Sequence, residues 1–474
     1  MAKLGMGLRK DQEEEAIEAS DELKIFYCSR THSQLSQFAN ELRRVHLPPV
    51  LTPADENDVD GSVSEASETL KYLTLGSRKN LCINPKVNKL GSAAAINERC
   101  VDLQQAKTPS DRKCSFLPSK DTEHLTINFR DHALAKVRDI EDLGRLGHRL
   151  GVCPYYASRQ AIKPCEIVTL PYPLLFQKSA REALGISLKD HVVIIDEAHN
   201  LMDAVSNIYS VSVSLNQLQR SRAQLGVYLQ KFRTRLKGKN RGYVTQTVRL
   251  IDSLTTYLKD KVSRNVFEGV AEVGDLLTGK GVDQINLFKL MRYLQESKLA
   301  RKVDGYSVYA EQQQNSSNQP GTSEKNRSQD GSEATTPVLT HIQSFFLSLT
   351  NPSAEGRFFY FHDENAGASL KYMLLDPTFH FKDIVEESRA VVLAGGTMSP
   401  MEDYLQHLFS YLPKARITTL SCDHVVSKEN LVAIPVIRAR SGRDFEFTFE
   451  KRNKDSTVRI LSLAASCRLL KLWP

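Results

Sequence analysis

Between His191 and His199 the chain reads His-Val-Val-Ile-Ile-Asp-Glu-Ala-His. Four consecutive β-branched residues predict a strand buried on both faces, as in a parallel sheet. Side chains at the C-terminal end of such a strand project into the crevice where ligands bind. Asp196 and Glu197 fall there. Two unpaired carboxylates at that place are costly unless they hold a metal ion or a water. The competing reading is a surface loop that happens to carry two acids. The buried run before the pair and the Ala-His after it argue against that.

Composition adds limits rather than answers. The chain has 474 residues, enough for about two to four domains. It is 41% hydrophobic and 25% charged, ordinary values for a soluble globular protein. A net charge of +7 is compatible with a nucleic-acid partner without requiring one. No apolar run is long enough to span a bilayer, so no membrane role is expected. Met-Ala-Lys followed by Glu13, Glu14 and Glu15 shows no secretory leader. The eight cysteines are therefore expected to stay reduced, which favours metal ligation or burial over disulfides.

Upstream, Lys24 to Cys28 predicts a short strand. Ser29-Arg30-Thr31-His32-Ser33-Gln34 then leads into a helical pattern of Leu35, Phe38, Leu42 and Val45. A strand, a polar turn and a helix together present backbone N–H groups to which phosphate binds well. Arg30 adds a charge-assisted donor. An ordinary helix cap gives the same residue types. Four cysteines follow, Cys82, Cys100, Cys114 and Cys153, spaced C-x17-C-x13-C-x38-C. Zinc sites usually bring close C-x2–4-C pairs, and these cysteines form none. Single cysteines from separate loops suit a compact cluster, and Cys153-Pro154 matches one ferredoxin pattern. Buried structural thiols, a zinc site and an iron–sulfur cluster all remain compatible with the spacing.

Asp-Glu-Ala-His after a buried strand resembles the DEAH box of superfamily 2 helicases. Ser29 to Gln34 looks like their motif Ia, and Ser388 to Met398, a further expected buried strand ending at Gly395-Gly396-Thr397, looks like motif III. A cysteine-bearing insertion between motif Ia and the DEAH box marks the iron–sulfur helicases of the xeroderma pigmentosum group D and Fanconi anaemia J type. Leu75 to Cys82, Cys153-Pro154-Tyr155-Tyr156 and Val193 to Leu201 look nearest to the chromosome-loss branch, that of the Warsaw breakage syndrome helicase. The likeness runs from about residue 23 to about 452. It implies an α/β fold: an incomplete RecA-like P-loop NTPase motor domain with an inserted iron–sulfur domain and a helical Arch domain. The implied divisions are 1–77 with a disordered lead-in 1–22, 78–165 for the cluster, 166–205 for the DEAH box, 206–374 for the Arch with a disordered linker 311–337, 375–420 for motif III, and 421–474 for the start of a second motor domain.

The same likeness implies roles. Asp196 would hold Mg²⁺ on ATP, Glu197 would activate water, and His199 would couple hydrolysis to Gly395, Gly396 and Thr397. Ser29, Arg30, Thr31 and His32 would hold the DNA backbone. Cys82, Cys100, Cys114 and Cys153 would bind a [4Fe–4S] cluster. Cys165 falls on no family ligand position, and Ser115 stands where the family often has proline. Arg78 would support the cluster or touch DNA. The implied function is ATP-dependent 5′→3′ unwinding of single-stranded and forked DNA, in the nucleus, in replication-linked repair and sister-chromatid cohesion, with partners among replication and cohesion factors.

Two further readings bear on activity. Gly274 to Gly281 fits G-x4-G-K, but Gly281 replaces the Ser or Thr that would bind Mg²⁺, and the segment is expected to be a loop. No other G-x4-G-K-[ST] occurs, and the motifs of a complete second motor domain are absent. The chain is thus expected to be truncated at both ends and to unwind nothing alone. A non-catalytic fragment that binds single-stranded DNA or a partner is the first alternative. A zinc-stabilised binding module is the second.

Overall fold

The computed structural model describes residues 22–47, 50–51, 65–66, 69–105, 108–279, 281–307, 338–363, 367–422 and 426–430. Most of the expected lead-in 1–22 and insertion 48–68, the linker 311–337 and the segment 431–452 lie outside the described residues. The larger strands are β1 (Ile25–Ser29), β2 (Tyr72–Thr74), β3 (Ile167–Pro171), β4 (Val192–Ile195), β5 (Val211–Ser214), β6 (Glu268–Ala271), β7 (Gly356–Asp363), β8 (Gly367–Leu374) and β9 (Ala390–Leu393).

Five of them form one parallel sheet in the order β9-β4-β1-β3-β2. The α/β expectation holds, and this parallel sheet is consistent with the expected RecA-like fold. The register aligns Cys28 with Ile195 and with Leu170, and Ile195 with Leu393. Four strands therefore end at one edge, where Arg30, Tyr172, Asp196 and Ala394 emerge together. β3, between β1 and β2, is buried at all five positions. In β4 only Val193 and Ile195 are fully buried, while Val192 and Ile194 are half-covered. The expected burial on both faces is thus met on one. In β9 the expectation fails outright: Ala390 is exposed and Val392 is 46% exposed. β9 lies at one edge of the sheet, with β4 its one neighbour among the described residues, and unlike the opposite edge strand β2 it is left partly uncovered.

The helix His32–Leu42 buries Leu35 and Ala39 toward the sheet. Between β2 and β3 the chain runs through helices Arg78–Leu81, Ala93–Asp102, Glu123–Leu134, Ile140–Leu150 and Pro154–Ala161. This insertion carries the four cysteines.

A second core lies in residues 211–372. Helices Leu215–Lys231, Gly238–Ser263, Leu287–Ser297 and Val338–Ser348 pack on an antiparallel sheet ordered β5-β8-β7-β6. The periodic residues Leu218, Leu225, Val244, Ile251, Leu254 and Leu258 are all wholly buried there. The region is therefore not purely helical: part of its core is sheet, with Phe358, Tyr360, Leu370 and Tyr372 packed among the helix residues. The Gly274–Gly281 segment does follow a strand, β6, but an antiparallel one. Its chain is pinned by Ser253, whose hydroxyl donates to the carbonyls of Leu276 and Thr278 at 2.7 and 2.6 Å. Arg301 ties this region to the cysteine insertion through Asp102 at 2.7 Å and Glu98 at 3.4 Å.

In the separate unit Tyr411–Pro474, the described residues hold short 3-10 turns at Lys414–Arg416 and Lys428–Asn430. Among the described residues no helix is long and apolar enough to cross a membrane.

Candidate functional site

Asp196 leaves β4 with its backbone amide donating to the Cys28 carbonyl at 2.8 Å, so the sheet ladder itself fixes its position. Its carboxylate is then gripped twice. The Tyr27 hydroxyl donates to Oδ2 at 2.7 Å, and the Glu197 amide donates to Oδ1 at 2.9 Å. Tyr172, just past the end of β3, donates to the main-chain carbonyls of Asp196 and Glu197 at 2.6 and 3.1 Å. Burial, reinforced for Tyr27 by its bond to Asp196, pushes both phenols far above their ordinary range, so they stay protonated donors. Tyr27 is also stacked on Phe38 of the following helix at 3.8 Å between centroids.

Glu197 adopts a left-handed conformation, φ 54° and ψ 38°. A non-glycine residue there is uncommon, and such strain gathers at functional sites. Its carboxylate lies 3.1 Å from His199 Nδ1, within ion-pair distance but without hydrogen-bond geometry. The His199 Nε2 is 2.7 Å from Asn200 Nδ2, and Arg30 donates to Asn200 Oδ1 at 3.1 Å. Arg30, Asn200, His199 and Glu197 thus form a chain of contacts across the strand ends.

The strand-end segment after β9 joins this site through backbone. Ala198 N–H donates to the Ala394 carbonyl and Ala394 N–H to the Ile195 carbonyl, both at 2.9 Å. A Cβ on Gly395 would meet the Ala198 nitrogen at 3.5 Å, an ordinary contact, and would press on the Met398 side chain at 3.0 Å. The expected Thr397 bond to His199 is not formed among the described residues; Gly396 and Thr397 are exposed.

Of the motif Ia candidates, Ser29 is fully buried and donates to Gln34 Oε1 at 2.8 Å. Thr31 is the N-cap of the next helix in a reciprocal capping box with Gln34. His32 is half-buried, and loss of solvent lowers its pKa below the usual imidazole value. Only Arg30 brings charge to an exposed place. The cap explanation thus covers Ser29 and Thr31, whose hydroxyls are already engaged.

The four cysteines converge. Cys82, Cys100, Cys114 and Cys153 line one cavity with Asn84, Leu103, Gln104, Phe116 and Tyr156 among its walls. Among the described residues no group of three or more His, Cys, Asp or Glu is placed to hold a metal ion. The thiols surround a space rather than a point. Burial pushes the Cys153 thiol up to about 11, and Cys100 and Cys114 add to the rise; burial likewise raises Cys82. Cys82 and Cys153 therefore resist ionising unless a cationic centre compensates. Cys165 lies elsewhere, bonded to the carbonyls of Lys71 and Ile167, with burial raising it to about 12. Arg78 stacks over Tyr155 at 4.5 Å and donates to the Tyr156 hydroxyl at 3.1 Å, so it braces the cysteine loop.

Cys153 is the N-cap of a helix that begins with Pro154, a residue suited to that first position. Its amide donates to the Phe116 carbonyl at 2.8 Å. Gly147 packs under this corner: a Cβ would stand 2.6 Å from Pro154 Cγ and 2.8 Å from the Val152 carbonyl oxygen. Gly147→Ala is therefore expected to destabilise by about 1–3 kcal/mol. A thermal melt should fall by several degrees, and an unchanged melt would contradict the packing.

Tyr27, Tyr172, Asn200, Asn84 and Gln104 escape sequence reading. Tyr27 and Asp196 are 169 residues apart, and only the parallel register brings them together. The sole local hint is Asn200, which directly follows the His of the motif.

The DEAD_2 family matches residues 27–218. The chain is 54% identical to the ATP-dependent DNA helicase chl1 of Neosartorya fischeri over 97% of its own length and 51% of that protein. It is 56% identical to the Aspergillus clavatus protein of the same name, over 94% of this chain and 59% of that one. The Schizosaccharomyces pombe counterpart is 42% identical over 92% and 50%. A solved structure titled XPD_Helicase aligns with 81% of this chain and 52% of its own at 14% identity and a TM-score of 0.46. The chain spans about half the length of the curated relatives it matches. With its DEAH box carried on a parallel sheet, this segment is similar over about half of their length to the ATP-dependent DNA helicases chl1.

Proposed function

We propose that this chain carries the Mg²⁺-nucleotide acids and the iron–sulfur wedge of an ATP-dependent 5′→3′ DNA helicase. The supporting observation is the Asp196 carboxylate, held by Tyr27 and the Glu197 amide at the mouth of a parallel sheet. In this reading Asp196 holds Mg²⁺ and Glu197 orients and deprotonates the attacking water. His199 relays the state of Glu197 to Asn200 and Arg30, and Arg30 takes a phosphate of single-stranded DNA. Coupling to Gly395, Gly396 and Thr397 runs through the Ala198–Ala394 backbone contact.

Cys82, Cys100, Cys114 and Cys153 would hold a [4Fe–4S] cluster, which when bound ties their loops into one rigid body. Four thiols around a shared apolar space fit that group better than a single zinc ion, which needs its ligands at a point. The implied setting is nuclear, on forked DNA, in replication-linked repair and cohesion.

Phosphoryl transfer depends on a phosphate cradle, and these 474 residues contain no G-x4-G-K-[ST]. The purified chain is therefore expected to bind single-stranded DNA in a salt-sensitive way, yet to show no DNA-stimulated ATP hydrolysis and no fork unwinding. Anaerobic preparations should contain iron and labile sulfide and absorb near 400 nm, roughly as thiolate-bound clusters do. Robust hydrolysis abolished by Glu197→Gln would refute the incompleteness. Zinc without iron would replace the cluster with a structural metal.

A further inference from the structure

The cysteine cavity presents two side-chain amides directly to sulfur. Asn84 Nδ2 donates to Cys114 Sγ at 3.4 Å, and Gln104 Nε2 donates to Cys100 Sγ at 3.2 Å. Both amides are held in place. Asn84 is 9% exposed, and its Oδ1 accepts from the Lys86 amide at 3.0 Å as the cap of the turn Pro85–Asn88. That bond fixes the amide plane and leaves the NH₂ facing the thiol. Gln104 Nε2 also lies 2.9 Å from the Cys100 carbonyl and 2.9 Å from the Tyr156 hydroxyl. Its two hydrogens are thus shared among three acceptors, all on the cavity wall.

Amides of this kind are not needed to fill space in an apolar pocket. Leucine would fill it, and burying an amide without a strong acceptor is costly. Their donors instead face the atoms that would gain negative charge. Hydrogen bonds to sulfur are among the determinants of an iron–sulfur centre's potential, because a donor stabilises the reduced, more negative state more than the oxidised one. We propose that Asn84 and Gln104 set the reduction potential of the cluster, each holding it up through one cysteine sulfur. The inference rests on the cluster reading above, and it assigns these two residues a tuning role rather than ligation.

The test uses the whole chain, purified anaerobically. Asn84→Ser keeps a capping oxygen on a shorter side chain and removes the NH₂ group that reaches Cys114 Sγ. Gln104→Met keeps length and apolar volume without an N–H. Gln105→Met is the control, since Gln105 donates to Asp102 and not to sulfur. Iron and sulfide are assayed first. The midpoint is then read by redox titration against the visible or electron paramagnetic resonance signal. Each test variant is expected to hold full iron and to shift its reduction equilibrium about tenfold toward the oxidised state, which is about 59 mV negative for a one-electron couple. The control should not move.

Full iron with unchanged midpoints in both variants overturns the proposal. So does loss of iron from a variant whose circular dichroism stays wild-type, since the amide would then be holding the cluster in place. If one variant does not fold, the other decides alone. Absence of iron from the unsubstituted protein defeats the cluster reading itself, a different outcome from either.

Discussion

On the proposed cluster reading, Cys153→Ser will leave the chain without iron, while Cys165→Ser will leave the iron content intact. Cys153 stands where three constraints meet: it caps the helix Pro154–Ala161, its amide bonds the Phe116 carbonyl, and its thiol faces the cavity shared with Cys82, Cys100 and Cys114. In the proposed cluster, removal of one cysteine ligand of four would open the inorganic centre to solvent and to loss. Metal binding of this sort is folding free energy for the segment that supplies the ligands. Cys82 and Cys114 pack against a cluster whose fully buried members are Val87, Ile96 and Leu103, a small apolar patch to hold several loops. The melt of Cys153→Ser is expected to drop on the order of 10 °C, at about 2–4 °C per kcal/mol, with hydrogen exchange rising first in residues 78–117. Cys165 donates to two main-chain carbonyls that a serine hydroxyl also reaches, so iron content there should match the unsubstituted chain. Iron retained in Cys153→Ser, or lost in Cys165→Ser, would contradict this assignment.

What was legible in the sequence was local. Val192 to Ile195 followed by two acids needs only the chemistry of a buried strand end. The parallel register then delivers Asp196 to the same edge as Arg30. The helix periodicity of residues 218–258 survives as a buried face because it repeats along one element. Features requiring a long-range partner were not legible. Tyr27 and Tyr172 are ordinary strand and turn residues until the sheet sets them against Asp196. Ser29 and Thr31 carry the right atoms for phosphate, yet a glutamine five and three residues on takes them first. The hairpin of β7 and β8 was within reach: Arg357 to Phe361 is aromatic, Ala368 to Leu374 alternates, and Asp-Glu-Asn-Ala-Gly lies between. A helical reading of 206–374 passes over it because the helices on either side have stronger periodicity. The exposure of β9 is illegible for another reason: composition reports how apolar a strand is, not which elements cover it.

In a polypeptide joining this segment to a G-x4-G-K-[ST] phosphate cradle, Glu197→Gln will lower DNA-stimulated ATP turnover by about 10²- to 10⁴-fold, the usual contribution of a general base. Nucleotide binding should change little, because the proposed Mg²⁺-facing carboxylate is Asp196 and the substitution keeps length and shape. The left-handed backbone at Glu197 holds its side chain beside His199, so glutamine should occupy the same place without accepting a proton. Tyr27→Phe supplies the contrasting case. It removes one hydrogen bond to an ionised carboxylate, worth about 1.5–3 kcal/mol, and frees Asp196 Oδ2 to rotate. Its effect should fall on the affinity for Mg²⁺-ATP, about tenfold or more, with turnover at saturation reduced far less than in Glu197→Gln. The two variants therefore separate water activation from metal positioning by a split between kcat and KM. Equal loss of both parameters in both variants would mean the acids act as one structural unit, and turnover within tenfold of wild type in Glu197→Gln would remove Glu197 from the chemistry.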